Sequence, residues 1–231
     1  MKVLYPEIKT LQRIFHVADI HIRNLQRHKE YEKVFDSLYQ SLEEQKIEGE
    51  SLIIVAGDVV HSKTDMSPEL FVVARRFLEN LAEICPVLLV PGNHDELENN
   101  PDRLDALTPI VKDAKGEIKY VRESCLIKVG NTVFSHMYFG DKPEDWTQAH
   151  EIENRFDEKI AIYHDVVDKS ETDHGFVLES ERMRVPFFTG FDKVILGDIH
   201  KRQRLQASTV QQLQVPDHEV QDYEAAGWRA A

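Results

Sequence analysis

The first half of the chain alternates between short apolar runs and longer stretches in which apolar residues recur with helical spacing. Residues 13–18, 52–56 and 87–90 are apolar runs of strand length. Residues 30–45 place apolar side chains at the i, i+3, i+4 and i+7 positions of a helix with one buried face. Because continuous apolar strands that alternate with helices are typical of a parallel sheet covered on both faces, the pattern predicts an α/β fold.

A second helix is predicted to begin after residue 67. Ser67 is suited to cap the first turn, and Pro68 is suited to the first helical position, where its missing N–H costs nothing. The apolar residues that follow on one face are Leu70, Val73, Ala74, Phe77 and Leu81. Their spacing predicts that this face packs on the sheet.

The middle of the chain consists of short apolar runs separated by polar turns. Residues 118–121, 125–129 and 132–135 are predicted to form an antiparallel meander, with a tight turn at Gly130-Asn131. The next stretch, residues 143–157, is predicted to be a surface helix or loop.

Two further strands are predicted at residues 159–163 and 193–196. From residue 207 the periodicity is lost, so we expect one domain over residues 1–206 and a weakly ordered tail over residues 207–231.

Composition narrows the classes of protein. The formal net charge of -13 disfavours a protein that holds nucleic acid through bulk electrostatics. The same charge is compatible with a nuclease, because divalent ions bound in an acidic site reverse the sign of the local electrostatic field. No apolar run approaches the roughly 18 residues of a membrane helix, and we see no signal peptide. Cys85 and Cys125 form no Cys-x-x-Cys motif. We therefore expect a cytoplasmic protein, or one in the host cytoplasm if it is viral.

Polar clusters follow five of the predicted strands. These side chains are Asp19, His21, Asp58, His61, Asn93, His94, Asp95, His164, Asp198 and His200. Because the carboxyl ends of parallel strands meet at one edge of a sheet, we expect the clusters to converge there. Asp19 and His21 are two residues apart, so in extended backbone both would point the same way. Carboxylate, imidazole and amide ligands suit Mn²⁺, Fe²⁺ or Zn²⁺.

For any one of these residues, a structural or surface role is the simpler interpretation. Five clusters on five strand ends favour a metal site instead. The glycines beside them, Gly57, Gly92 and Gly197, are predicted to let the chain turn sharply. Two basic clusters, at residues 23–29 and 201–204, are either solvated surface or part of a site.

Several of these blocks resemble the signature of the calcineurin-like metallophosphoesterase superfamily. The blocks are Asp19-Ile-His21, Gly57-Asp58, Gly92-Asn-His-Asp95, His164 and Gly197-Asp-Ile-His200. Within the superfamily, residues 18–24, residues 57–61 and Arg103-Leu-Asp105 most resemble the SbcD-like nucleases of DNA double-strand-break repair, in their phage and large-virus versions. The resemblance implies a two-layered β-sheet sandwich flanked by helices, and a metal-dependent phosphodiesterase that hydrolyses DNA.

The resemblance also implies a two-metal site. Asp19, His21, Asp58 and His200 would hold one ion, and Asp58, Asn93, His164 and Asp198 the other. Asp198 stands where the superfamily usually has His. His94 resembles the catalytic His, Asp95 would orient it, and His61 resembles a phosphate-facing His. Mn²⁺ is the expected ion, with Fe²⁺, Zn²⁺ and Mg²⁺ as alternatives.

Partners follow from the same resemblance: a DNA substrate, an SbcC-like ABC-type ATPase and a second copy of the chain. Family members continue past the last motif into a DNA-contacting domain and an ATPase-binding segment, which residues 207–231 do not resemble. We therefore expect either a minimal or truncated nuclease core or an atypical C-terminus. The alternatives are a phosphomonoesterase, a protein phosphatase, a cyclic-nucleotide diesterase and, from a different class, a non-catalytic scaffold.

Overall fold

A computed structural model describes residues 1–97, 103–172, 174–201, 203 and 205. Within these residues two β-sheets pack face to face, and the expected two-layered α/β sandwich is confirmed. The first sheet is parallel throughout and has the order β2 (Arg13–Val17), β3 (Ser51–Ala56), β4 (Val87–Val90) and β5 (Ile118–Tyr120). The second has the order β1 (Lys2–Val3), β6 (Cys125–Val129), β7 (Thr132–Met137), β8 (Glu158–His164) and β9 (Lys193–Gly197).

Three helices cover the outer face of the first sheet: α1 (His28–Gln45), α2 (Pro68–Ile84) and α3 (Leu107–Val111). The side chains of β3 alternate between two cores. Ile53 and Val55 pack among the helices, whereas Leu52 and Ile54 pack against the second sheet. Both faces of the first sheet are therefore buried, as its continuous apolar strands predicted, with helices on one face and the second sheet on the other.

The predicted start of α2 is confirmed. The Ser67 side chain accepts a hydrogen bond of 3.2 Å from the backbone N–H of Leu70, and Pro68 occupies the first helical position. This cap satisfies one of the backbone donors that a helix leaves unpaired at its start.

The predicted meander is only half correct. β6 and β7 form an antiparallel hairpin with its turn at Gly130, whose φ is 57°. β5 instead joins the first sheet and pairs in parallel with β4, with Ile118 opposite Val87. A three-residue strand carries too few side chains to specify its partner. Its pairing is set by α3, which supplies the crossover that a parallel connection needs.

Residues 143–157 lie at the surface as a loop, as expected, since more than half of them are exposed, but Trp146, Ala149 and Ile152 are buried. They form two short 3₁₀ turns, Pro143–Asp145 and Ala149–Glu151, and a third lies at Val185–Phe188. Trp146 is 3% exposed and packs edge-to-face on Tyr163 of β8. Trp146 therefore anchors the loop to a small third core beside β8.

The predicted tail, residues 207–231, lies outside the described residues, as do Arg202 and Arg204 of the second basic cluster. None of the helices in the described part of the chain is both long and apolar enough to cross a membrane.

Candidate metal centre

The carboxyl ends of five strands, β2, β3, β4, β8 and β9, bring the predicted side chains to one site. Asp19 and His21 follow β2, Asp58 follows β3 and His164 ends β8. Two groups of side chains could each hold an ion, because the ligand atoms within each group all lie within 4.8 Å of one another. The groups are Asp19, His21 and His200, and Asp19, Asp58 and His164. The predicted convergence of the five strand ends is therefore observed, but at the edge of two packed sheets, since β2, β3 and β4 belong to the first sheet and β8 and β9 to the second.

Four of the predicted ligands have left-handed backbone. The φ angles are 56° at Asp19, 48° at His21, 54° at Asp58 and 71° at Asp198. The expectation of extended backbone at Asp19 and His21 is wrong. Such conformations cost about 1–3 kcal/mol each for residues other than glycine, and they concentrate at functional sites.

Backbone hydrogen bonds between the first two loops hold this strained geometry. The N–H of Asp19 donates to the carbonyl of Gly57 at 3.2 Å, and the N–H of His21 donates to the carbonyl of Asp58 at 2.9 Å. The Tyr31 hydroxyl of α1 donates to the His21 carbonyl at 2.8 Å. The sheet and α1 together therefore determine where the His21 side chain lies.

Asp58 is the buried centre of the site, with an exposed fraction of 0%. Its Oδ1 lies 3.3 Å from His164 Nε2 and accepts a 2.9 Å hydrogen bond from the His94 N–H. Its Oδ2 lies 3.5 Å from His21 Nε2 and has no hydrogen-bond partner in the described structure. A buried carboxylate oxygen without a donor costs free energy unless a cation satisfies it, so the atom fits a metal ion.

His164 is held with one ring nitrogen fixed and the other available. Its Nδ1–H donates to the Ala56 carbonyl at 2.6 Å, which leaves Nε2 directed at Asp58. This is the arrangement that orients histidine ligands of metals. Burial alone lowers the pKa of His164, but the hydrogen bond and charge of Asp58 raise it to about 9. A metal ion at Nε2 would therefore displace a proton.

Gly197 leaves the space that His164 occupies. A Cβ at Gly197 would lie 2.1 Å from His164 Nδ1 and 2.3 Å from the Ala56 carbonyl oxygen. Gly57 is required for a second reason, because its φ of 88° lies in the left-handed region. A Cβ at Gly57 would lie 2.3 Å from His164 Nδ1, so close packing against the imidazole explains both glycines and the positive φ is an additional reason at Gly57.

The second group centres on His21 and His200. Their Nε2 atoms lie 3.3 Å apart, and His200 Nε2 lies 3.9 Å from Asp19 Oδ1. Burial lowers the pKa of His21 to about 4, against the opposing charge of Asp58. A neutral imidazole keeps a lone pair for a metal, so His21 is ready to act as a ligand.

Asn93 and Asp198 complete the predicted set. Asn93 Nδ2 lies 3.4 Å from Asp198 Oδ1, and Asn93 Oδ1 is buried with no partner among the described residues. The N–H of Asp198 donates to Asp19 Oδ1 at 2.9 Å. Asp198 belongs to neither of the two close groups, so its role as a ligand stays a prediction. The donor set as a whole, with its unpartnered oxygens on Asp58 and Asn93, fits divalent metal ions.

His94 lies beside these ligands, with its ring centroid 4.8 Å from that of His21. Its Nδ1 is 2.7 Å from the carbonyl oxygen of His61. Because a carbonyl only accepts, Nδ1 carries the proton and Nε2 is the nitrogen left for chemistry. The His61 ring stacks on His94 at 5.7 Å.

The expected role of Asp95 is wrong, because the His61 carbonyl occupies the position on His94 that Asp95 was predicted to fill. The fully buried Asp95 carboxylate accepts instead from three backbone N–H groups, those of Gly92 at 2.9 Å, Val60 at 3.0 Å and Val59 at 3.3 Å. It thereby joins the loop after β3 to the loop after β4. Burial and the charge of Asp58 raise the pKa of Asp95 to about 7.

Sequence reasoning missed the support beneath the His94 turn. Arg122 Nε donates to Glu96 at 2.6 Å, and its Nη1 lies 3.5 Å from Asp105. Asp105, from the Arg-Leu-Asp motif, also accepts from the Thr108 N–H at 2.6 Å and so starts α3. Asp105 therefore helps to hold the His94 turn in place through Arg122 and the start of α3. The Glu directly after Asp95 was the available sequence signal.

Lys63 and Asp165 were also missed. Lys63 Nζ donates to the Asn93 carbonyl at 2.5 Å, which ties the loop after β3 to the loop after β4. Asp165 follows His164, and its negative charge contributes to the raised pKa of Asp198, for which burial is the main cause. The available sequence signal was proximity to a predicted site residue: Lys63 is two residues after His61, and Asp165 directly follows His164.

The cluster joins carboxylates and imidazoles from the ends of five strands, which is the ligand chemistry of a divalent metal site. The calcineurin-like phosphoesterase family matches residues 12–202, and the chain belongs to this family. Membership supports the activity of a metal-dependent phosphoester hydrolase with divalent metal ions.

A viral protein is similar to most of the chain. "Uncharacterized protein R555" of Acanthamoeba polyphaga mimivirus is 40% identical over 201 residues, which cover 82% of this chain. The chain spans 15% of the length of that relative.

Proposed function

We propose that the chain hydrolyses phosphodiester bonds of DNA by a two-metal mechanism, with Mn²⁺ as the expected ion. The observation that carries the proposal is the convergence of the predicted ligands around the buried carboxylate of Asp58, whose Oδ2 has no partner among the described residues. Asp58 would bridge the ions. The first ion would also use Asp19, His21 and His200. The second would also use Asn93, His164 and Asp198.

Divalent ions in this ligand set would supply Lewis-acid chemistry: they would polarise phosphoryl oxygens and lower the pKa of water, so that it could attack phosphorus near neutral pH. The chain itself provides the proton transfer. His94 is held through Nδ1–H by the His61 carbonyl, and in its doubly protonated form its Nε2–H donates the second proton to the leaving oxygen. His61, stacked on His94, is placed to contact the phosphate.

Two features favour DNA among phosphoesters. Residues 18–24 and 57–61 resemble the nuclease branch in particular. Arg23, which follows the metal-ligand motif, is exposed, and its charge adds to the effect of burial in lowering the pKa of His61. A cation beside an acidic site attracts a phosphate backbone. An SbcC-like ATPase partner, a homodimer and a cytoplasmic location rest on the resemblance and composition, and we include them as parts of the proposal.

A substrate panel tests the proposal, because other members of the family share the metals. The purified chain is incubated with Mn²⁺ and, in parallel, with labelled linear DNA, a phosphopeptide, a cyclic nucleotide and an aryl phosphate monoester. We expect cleavage of DNA at a rate per site well above that of the other substrates. Faster hydrolysis of any of the other three would refute the DNA specificity while leaving the phosphoesterase activity in place.

A further inference from the structure

A third cluster of candidate ligands lies beside the proposed two-ion site and consists of imidazoles alone. Ligand atoms of His21, His61 and His94 lie within 4.8 Å of one another. The ring centroids are 4.8 Å apart for His21 and His94 and 5.7 Å apart for the other two pairs. Of the three residues, only His21 belongs to the proposed two-ion ligand set.

The ring nitrogens of this cluster are prepared for a ligand. The His94 Nδ1–H is committed to the His61 carbonyl at 2.7 Å, so the neutral ring carries its lone pair on Nε2. The Nδ1 atoms of His61 and His21 are buried and have no hydrogen-bond partner in the described part of the chain. Buried polar atoms normally find a partner, and a metal ion would provide one.

The cluster differs in chemistry from the two-ion site. Each of the other two groups contains at least one Asp, which suits Mn²⁺ and Mg²⁺. A nitrogen-only set disfavours those ions and suits Zn²⁺, Ni²⁺ or Cu²⁺. Zn–N bonds of about 2.0–2.1 Å place the nitrogens of a tetrahedral site about 3.4 Å apart, so modest side-chain rotation would close the set.

We propose that His61 and His94, with His21 as a further ligand whenever it does not hold the first ion, form a third metal site that binds a borderline ion such as Zn²⁺ and thereby withdraws His94 from proton transfer. The inhibitory part rests on the proposed function, whereas the binding part stands on the cluster itself. A neutral imidazole has one lone pair, so when His21 holds the first ion, the third ion is held by His61, His94 and solvent.

Metal counting tests the site without relying on activity. The demetallated chain is dialysed against Mn²⁺ or Zn²⁺, and bound metal is measured by elemental analysis. We expect one more equivalent of Zn²⁺ than of Mn²⁺ at saturation. His61→Gln and His94→Gln should each lose this extra equivalent and keep the wild-type Mn²⁺ count, which shows that they fold. His150→Gln is the matched control, since His150 is exposed and outside the cluster, and it should keep the extra equivalent.

Two results would overturn the site: equal saturation by Zn²⁺ and Mn²⁺ in the wild type, or an extra Zn²⁺ that survives both cluster substitutions. For inhibition, the extra equivalent of Zn²⁺ should reduce DNA hydrolysis of the wild type to the level of His94→Gln. Binding of the extra ion with unchanged hydrolysis would refute the inhibitory part. A chain with the expected metal counts and no hydrolysis under any condition would refute the proposed function and leave the third site standing.

Discussion

The Asp58 carboxylate and the His164 imidazole face each other at 3.3 Å, and neither side chain is exposed by more than 1%. In the metal-free chain they form an ion pair at neutral pH, since the pKa of Asp58 lies below its usual value and that of His164 is raised to about 9. Both residues belong to the proposed ligand set. Metal binding and protonation therefore compete for the same atoms.

The stability of the metal-free chain should depend on pH through this pair. Because the folded pKa of His164 is raised, its contribution is full below the unfolded pKa of about 6.5 and is lost as pH rises through about 9. The depressed pKa of Asp58 adds stability above about pH 4 that is lost on acidification. We expect the melting temperature in EDTA to fall between pH 7 and 9.

His164→Gln is the control for this pH dependence, because it removes the titrating group. The fall in melting temperature between pH 7 and 9 should be smaller in this variant than in the wild type. An identical pH profile for the two proteins would mean that the pair does not titrate as described.

His94→Ala should separate metal binding from turnover. The hydrogen bond from His94 to Asp58 comes from the backbone N–H, which alanine retains, so the variant should keep both ions. Loss of the proton donor should reduce the turnover rate about 100-fold to 10,000-fold. Asp58→Asn should instead weaken both ions. Elemental analysis and steady-state rates check the pair of variants, and equal metal loss in the two would contradict the assignment.

Gly197→Ala should displace the His164 ring. The added methyl would lie 2.1 Å from His164 Nδ1, and overpacking of this kind costs about 1–3 kcal/mol. We expect lower stability and weaker binding of the second ion, measured by melting and metal titration. Gly49→Ala is the control for metal binding: its φ of 72° makes alanine destabilising there too, but its Cβ would meet no atom within 4 Å, so metal affinity should not change. Full metal affinity in Gly197→Ala would show that His164 does not bind the ion.

Much of this arrangement could be predicted from the sequence, because each strand end carries its polar residues directly after an apolar run. The backbone conformation of the ligand residues could not be predicted from the sequence. Asp19 and His21 adopt left-handed φ values because the loop after β3 pairs with them, and that contact is absent from local sequence. The partner of His94 was also missed, since it is the backbone carbonyl of His61 and backbone groups carry no sequence signal.

Arg122→Met should destabilise the chain through the network under the His94 turn. Its removal leaves the buried carboxylate of Glu96 without its cation, and breaking such a pair costs about 3–5 kcal/mol. Arg155→Met is the matched control, because the Arg155–Glu153 pair is exposed and should contribute less than about 1 kcal/mol. Chemical denaturation measures both. Equal small losses would show that the Arg122 network does not support the turn.

Arg23→Glu should distinguish DNA from small substrates. Reversing a charge beside the site should weaken DNA binding and reduce the salt dependence of binding, whose slope changes by about one per phosphate contact. Hydrolysis of a small aryl ester should change little. Arg76→Glu, on an exposed position of α2, is the control and should leave DNA binding unchanged. Equal effects of the two substitutions on DNA binding would argue against a contact between Arg23 and the DNA backbone.

The measurement that tests the central claim most directly is hydrolysis of labelled linear DNA by the purified chain with Mn²⁺, Mg²⁺ or EDTA, beside His94→Ala. The account predicts cleavage that requires a divalent ion, is strongest with Mn²⁺ and is lost in the variant although its ions remain bound. Cleavage that persists in EDTA, or equal rates for wild type and His94→Ala, would contradict it.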